Sequence, residues 1–424
     1  MPRLSALPQE LTIQIFRLLE ISDKVRLSTT CRQYRAQLAP DIFKTIRFTN
    51  NEAVARSVLG AIEAYGEYTT HIEFTPHCGP NDEITTPALT LAAAKVLQGH
   101  LTPNLSTFRL RFDFDFYDGK DWDADHPDAV MGKSIYIFQG VETEEQVRER
   151  EETWQWRALM NETWRALATN IYVRELILDE LVLKRASAFL TEEFRQFLSR
   201  IEAATFQIFG MDNGAGWTTI TVWGVVDFLQ NLDTTFFHHM MGLKHLTIHA
   251  EDPLGSQSNH HTPLSLMPDD LPLLESLKLT TCFVCPELAS FINGHRNVLK
   301  SLDVEDCVCE YETGYSWASF FDAVYEAKPP LTELIAGNGC NVPITFDEKF
   351  NEYENEPEDI QEVRQKLKAD SRLRLFGYGM VDDKYGMLYL HEDVNVDEFK
   401  SGNDQRAFDR LMGLVNENAA KAKQ

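Results

Sequence analysis

Apolar positions recur at helical spacing near the start of the chain. Leu11, Ile15 and Leu18/Leu19 fall at i, i+4 and i+7/i+8, the stripe of an amphipathic helix. Pro8 suits its first turn, where a missing N–H costs nothing, and Glu10 suits the positive end of the helix dipole. Ser22-Asp23 offers a second N-cap ahead of Leu27, Cys31 and Tyr34. Pro40 then interrupts, and a short third element carries Ile42, Phe43 and Ile46. Three helices within about forty residues bury too little surface to be more than marginally stable alone. A partner is therefore expected to complete their apolar surface.

Further along, the pattern changes to a repeat. Leu274, Leu277, Leu279 and Cys282 share a spacing with Leu299, Leu302, Val304 and Cys307. Weaker copies begin at Leu105, Val173 and Leu243, and another starts at Leu331-x-x-Leu334 before degenerating; Phe206-Gln207-Ile208 reads as a further strand. The last four copies begin at 243, 274, 299 and 331, steps of 31, 25 and 32, while the two longer early steps hide another repeat or insertions. Helical spacing separates the copies: Trp156, Met160, Trp164 and Leu167; Ala186, Leu190, Phe194, Leu198 and Ile201; Trp317, Phe321 and Val324. Strand and helix alternating in units of this size predict an α/β solenoid, each unit covering its neighbour's apolar face. An ordinary doubly wound α/β domain would alternate in the same way.

Charge divides the chain. Its 424 residues hold 65 acidic and 40 basic side chains, a formal charge of -25. Residues 1–50 carry eight basic and four acidic groups, +4, which leaves -29 on the rest and suggests a separate module with its own, acidic partner. So acidic a body repels phosphate backbones and anionic membranes, which argues against nucleic-acid or membrane binding. No stretch reaches membrane-spanning length. Seven scattered cysteines do not form a secreted disulfide framework, and the start has no signal-peptide apolar region, so cytosol or nucleus is expected. The acidic residues cluster at 113–152, from Asp113 to Asp128 and then Glu142 to Glu152, and again from Glu348 to Glu362. The first cluster reads as a solvated loop and helix lead-in, or as a lure for a basic partner. The second reads as a linker. Leu373–Tyr378 and Met387–His391 flank a turn as a hairpin, and Phe408, Leu411, Met412 and Val415 place a helix after it, a cap for the solenoid's open end.

Leu7-Pro8-Gln9-Glu10-Leu11, Ile15-Phe16, Leu18-Leu19, Asp23, Leu27, Cys31-Arg32, Tyr34-Arg35 and Phe43 together resemble an F-box. The resemblance covers residues 5–48 and implies docking onto the Skp adaptor of a cullin–RING ubiquitin ligase. Carried over residue by residue, the adaptor contacts are Leu7, Pro8, Leu11, Ile15, Leu19 and Leu27, while Cys31 and Tyr34 hold the helices together. The body resembles leucine-rich repeats, and the combination resembles F-box proteins with such repeats, frequent in filamentous fungi. The implied organisation is an F-box at 1–48, a solenoid at 49–342 with the acidic insert, an acidic linker at 343–370 and a cap at 371–424.

In such a coil the leucines point inward and the residues between them line the open sheet: Arg109, Arg111, Ile177, Asp179, Thr247, His249, Lys278, Thr280, Asp303 and Glu305. These are candidate target-binding positions. Other chemistry is not legible. Cys282-x-x-Cys285 with Cys307-x-Cys309 could form a zinc site, but the repeat explains Cys282 and Cys307 as one slot in adjacent units. Asp121-x-Asp123-x-Asp125 lacks the glycine and glutamate of a calcium loop, and Gly132-Lys133-Ser134 lacks the earlier glycine of a phosphate loop. His238-His239 and His260-His261 have no ligand spacing, and no nucleophile elbow or zinc-protease helix occurs. No cofactor, metal or catalysis of its own is expected. The expected role is substrate reception in a ubiquitin ligase, as one copy within a hetero-complex; the alternative is a repeat scaffold acting outside any ligase.

Overall fold

The computed structural model describes residues 8–79, 83–114, 135–213, 215–257, 261–337, 344 and 357–423. Three short helices open it: α1 (Gln9–Arg17), α2 (Ile21–Ser28) and α3 (Arg32–Ile42). Phe16, Tyr34 and Leu38 are buried between them, with the Phe16 and Tyr34 rings edge-on at 5.7 Å, and Leu19, Leu27 and Ile42 lean on the same cluster. Two sequence expectations are corrected here. The second helix starts at Ile21 with Glu20 as its N-cap, ahead of Ser22-Asp23. Pro40 sits inside α3 and does not interrupt it. It lies in the last turn, where the Phe43 N–H still reaches the Ala39 carbonyl at 2.9 Å. Ile46 belongs to a strand, β1 (Thr45–Phe48), and not to a third helix.

That strand begins the body. Helix α4 (Glu52–Tyr65), β2 (His71–Phe74), β3 (His77–Cys78), α5 (Leu91–Leu97), β4 (Thr107–Arg111) and β5 (Asp113–Phe114) follow. After the undescribed residues 115–134 come α6 (Glu144–Thr153), α7 (Gln155–Ala168), β6 (Glu175–Leu181), α8 (Glu192–Leu198) and β7 (Ala203–Ile208). Next are α9 (Trp223–Gln230), α10 (Leu232–Thr235), β8 (His245–Leu254), β9 (Ser276–Val284), α11 (Pro286–Gly294), β10 (Ser301–Glu305), β11 (Val308–Glu310), α12 (Trp317–Ala327) and β12 (Glu333–Gly337). The chain closes with α13 (Glu358–Ala369), β13 (Gly377–Val381), β14 (Leu388–Leu390), α14 (Glu392–Ser401) and α15 (Asn403–Ala422).

Nine strands pair side by side, all parallel, in the order in which they occur: β1, β2, β4, β6, β7, β8, β9, β10 and β12. Parallel neighbours need a crossover, and here the helices of successive crossovers pack on one another. Alternate strand positions are buried against them: Ile72, Phe108, Leu176, Leu246, Leu277, Leu302 and Leu334 form one such row across the sheet. The period of two thus separates a core face from an open face. The long step after Leu105 is an insertion, since β4 pairs directly with β6; the step after Val173 conceals a unit, β7. The copy at Leu331 continues as a paired strand, β12.

A backbone feature recurs with the units. Glu180, Thr281 and Asp306 all have φ between 51° and 57°, the left-handed region, each two residues after a buried pattern residue: Leu178, Leu279 and Val304. The next residues, Leu181, Cys282 and Cys307, turn back into the core. Non-glycine residues rarely adopt this conformation, so β6, β9 and β10 share the same backbone turn near their ends.

The remaining expectations on helices need three changes. Ala186 to Ile201 is not one helix: a short turn of 3-10 helix at Ser187–Leu190 precedes α8, and Ile201 lies beyond it. Twelve residues of the expected acidic linker form helix α13, whose Ile360 and Val363 are buried against Leu375 and Val396. The hairpin is β13 with β14, so its first strand starts at Gly377 instead of Leu373. Helix α15 packs on α12 and β12, and the Asn418 amide donates to the carbonyls of Pro329 and Leu331 at 3.1 Å.

The joint between this C-terminal part and the sheet is polar and buried. The Trp317 N–H donates to the Tyr378 hydroxyl (3.2 Å), which donates to Asp404 on α15 (2.9 Å), and Asp404 also accepts from the Ala318 N–H (2.8 Å). Burial, helped by the nearby Glu398 charge and opposed by these hydrogen bonds, raises the Asp404 carboxyl to about 6. A carboxyl raised on folding stabilises the fold fully below its unfolded value, and that contribution is lost as pH rises through the folded one. Asp404→Asn is therefore expected to lose less stability than the native chain between pH 4 and 6 in urea titrations. An unchanged slope over that window would refute the assignment.

Candidate functional site

Two faces offer contact with other molecules. The first is on α1 and α2. Two stripes run along α1 and the turn after it: Thr12, Phe16 and Leu19 turn inward, while Leu11, Ile15 and Leu18 turn outward. Leu18 is 85 % exposed and Leu11 45 % exposed, and Ile21 and Val25 on α2 are exposed as well, while Ile13 is exposed on the opposite side of α1. An apolar group of this size on a small helical unit is what a partner interface looks like before it is covered. Of the expected adaptor contacts, Pro8, Leu11 and Ile15 lie on or at the edge of this face, Leu19 and Leu27 lean on the internal cluster, and Leu7 lies outside the described residues. Sequence reasoning missed Leu18 as an outward residue, Ile21 and Val25. The available signal was that α1 is apolar on more than one stripe. Tyr34 does hold the helices together, whereas Cys31 is exposed and caps α3, its Sγ accepting from the Tyr34 N–H at 3.4 Å.

The second face is the open side of the sheet. One row runs across it through Arg47, Glu73, Arg109, Ile177, Thr205, Thr247, Lys278, Asp303 and Ile335. A second row places Arg111 beside Asp179, and Gln207, His249 and Thr280 side by side. Glu305 lies beside Gly337 in the same register. All the candidate target positions therefore stand on one surface. Their charges are largely committed to one another. Arg47 pairs with Glu73 at 2.6 Å, Arg109 with Asp179 at 3.0 Å, Arg111 with Glu180 at 2.7 Å and Lys278 with Asp303 at 2.6 Å. The Arg47 hydrogen bond holds the Glu73 carboxyl below the ordinary value; burial pushes Asp179 up despite the two arginines beside it. Pairs this exposed contribute about 0–1 kcal/mol each. They leave the middle of the face uncharged, around Ile177, Thr205 and Thr247.

The acidic insert is partly structural. Glu142 is not in a solvated loop: it accepts both nitrogens of the buried Arg157 (3.1 and 2.8 Å) and the Lys184 amine (3.3 Å). Burial alone would raise its carboxyl, but those two cations outweigh it and hold it low. Glu151 accepts from the Ser187 N–H and hydroxyl. The Asp115–Asp128 run, the 121–125 and 132–134 motifs and His260 lie outside the described residues. His238 pairs with Asp270 at 3.0 Å, and the His261 ring meets the Ser256 carbonyl at 2.9 Å.

Cys282, Cys285, Cys307 and Cys309 are all buried. Hydrogen bonding to Cys307 and burial raise the Cys282 thiol well above its ordinary value, and burial pushes Cys285 up to about 12. Cys282, Cys285 and Cys309 are therefore protonated core thiols at neutral pH. Among the described residues, no three His, Cys, Asp or Glu side chains converge as a metal site, and no helix is long and apolar enough to cross a membrane.

The molecule is thus a mixed α/β protein, a large and mostly parallel sheet led by a small helical unit with an uncovered apolar face. That unit is an F-box-like domain: residues 4–49 match the F-box-like family model. The match takes in β1 as well as the helices. No curated protein matches the chain.

Proposed function

We propose that the chain is a substrate receptor of a Skp–cullin–F-box ubiquitin ligase. The outward face of α1 and α2 holds the Skp adaptor, and the sheet-bearing body, an irregular leucine-rich-repeat solenoid, holds a target protein. The observation that carries the reading is the coincidence of the F-box-like match with four outward apolar side chains: Leu11, Leu18, Ile21 and Val25. Sequential parallel strands and the recurring left-handed residue support the repeat assignment. The receptor has no chemistry of its own. It contributes proximity, turning a bimolecular transfer into an effectively intramolecular one. It acts as one copy within a hetero-complex, in cytosol or nucleus.

The test is co-expression of the full chain, and of a version lacking residues 1–42, with the Skp adaptor and the cullin–RING core. Cutting before β1 leaves the sheet whole. The full chain alone should retain adaptor, and its removal from cells should stabilise at least one protein. If neither form retains adaptor while both remain folded, the receptor reading is lost.

A further inference from the structure

The charges of the open sheet face are largely paired with one another, whereas Lys384, on a different patch, forms no ion pair among the described residues. That patch is assembled from segments far apart in sequence, the stretch after β7 and the turn between β13 and β14. The Thr218 N–H donates to the Tyr385 carbonyl at 2.8 Å, and the Thr218 hydroxyl donates to the Gly386 carbonyl at 3.2 Å. Gly386 has φ +73°, and a Cβ there would lie 2.4 Å from the Thr218 hydroxyl, so only glycine permits the approach. A Cβ on Gly224 would likewise strike the Phe138 carbonyl at 2.0 Å, which fixes the start of α9 against the 135–140 stretch. These two close contacts bring Trp217, Trp223 and Lys384 to one cavity, with Tyr385 packed against Trp217.

The Trp217 and Tyr385 rings meet edge-on at 5.0 Å. The Lys384 ammonium stands 4.5 Å from the Tyr385 centroid and 5.6 Å from that of Trp217, and donates to the Tyr385 hydroxyl at 2.8 Å. Beside them opens a cavity of about 280 Å³, lined by Ile135, Val222, Trp217, Trp223 and Lys384 among others. Trp223 is 73 % exposed, the only exposed tryptophan among the described residues. Tryptophan is among the residues that most often carry binding energy when they become buried at a protein interface.

We propose that this patch docks a segment of the target protein that presents a bulky apolar side chain to the Trp217–Trp223 cavity and a carboxylate to Lys384. This rests on the receptor reading above and says where the target is held. The sign of the charge follows from the geometry. Lys384 already places its ammonium beside both rings, against the Tyr385 hydroxyl, so a second cation is repelled there. Among the described residues Lys384 forms no ion pair, and its ammonium keeps donors to spare beyond the Tyr385 bond. The acidic body repels strongly acidic partners, so the motif is a single carboxylate beside an apolar anchor and not an acidic run.

The experiment is selection of random peptides of about a dozen residues, displayed on phage, against the full chain, followed by fluorescence titration of a synthetic enriched peptide. Enriched sequences should place an aromatic or large aliphatic residue within three positions of Asp or Glu. Trp223→Ala should weaken binding by about tenfold or more. Lys384→Glu should weaken it too, and replacing the peptide's acid by lysine should restore affinity to that variant. Both side chains are exposed, so unchanged melting curves certify the fold. Absence of enrichment, enriched peptides lacking the acid, or affinity indifferent to Trp223→Ala would overturn the proposal. A chain with Leu11→Asp and Leu18→Asp should bind the peptide normally, and Trp223→Ala should retain the adaptor, so failure here is distinguishable from failure of the receptor reading.

Discussion

Leu11→Asp combined with Leu18→Asp is expected to abolish co-purification with the Skp adaptor, a loss of at least about a hundredfold in affinity. Burying one leucine contributes roughly 1.5–3 kcal/mol, and two removed together already approach that factor. Each introduced carboxylate adds the cost of burying a charge without a partner. Neither leucine contributes to the Phe16–Tyr34–Leu38 cluster, so the thermal midpoint should stay close to that of the native chain. Phe16→Ala is the informative contrast, since it should loosen the helical unit itself. Normal adaptor retention by the folded double variant would remove α1 from the interface.

The largest effect on stability is expected from Trp317→Ala. The indole is fully buried at the start of α12, stacks against Phe321 and Phe376 at 5.3 Å from each, and donates its Nε1–H to the Gly377 carbonyl at 2.9 Å. It thus touches the last helix crossover and the C-terminal hairpin at once. Truncation leaves a large cavity and an unpaired carbonyl, a cost of about 3–5 kcal/mol. Urea denaturation should show that loss, and limited proteolysis should release the region after residue 370 ahead of the sheet. A cost under about 1 kcal/mol would mean that the contact between α12 and the C-terminal hairpin carries little of the stability.

What the sequence disclosed, and what it concealed, follows from how many residues each element contributes to its own signal. Leu274, Leu277, Leu279 and Cys282 write four core positions into nine residues, and all four are buried as the spacing predicts. Strands β1 and β2 offer only Ile46 with Phe48 and Ile72 with Phe74, too few for a period of two to stand out. Helix α1 was legible as a helix, but one apolar stripe cannot be told from two until Phe16 is seen packed on Tyr34. The candidate positions on the sheet could be named residue by residue. That Lys278 would neutralise Asp303 and Arg109 would reach Asp179 could not, because the pairing register joins segments about 25 to 70 residues apart. Trp223 carries no local signal at all: its exposure depends on Gly224 lying against a carbonyl more than eighty residues upstream.

One connection sets a limit on the whole molecule. Only Phe43 and Lys44 separate α3 from β1, the Phe43 ring lies flat on Tyr65 at 4.4 Å, and the Thr69 hydroxyl donates to the Phe43 carbonyl at 2.9 Å. The helical unit is therefore bolted to the first strand and has no tether on which to swing. A receptor built in this way acts as a bracket of set length and angle. Under the proposed function, a target would be presented to the transfer machinery in one pose, and only acceptor amines within that pose would be reached, however tightly the rest of the target is bound.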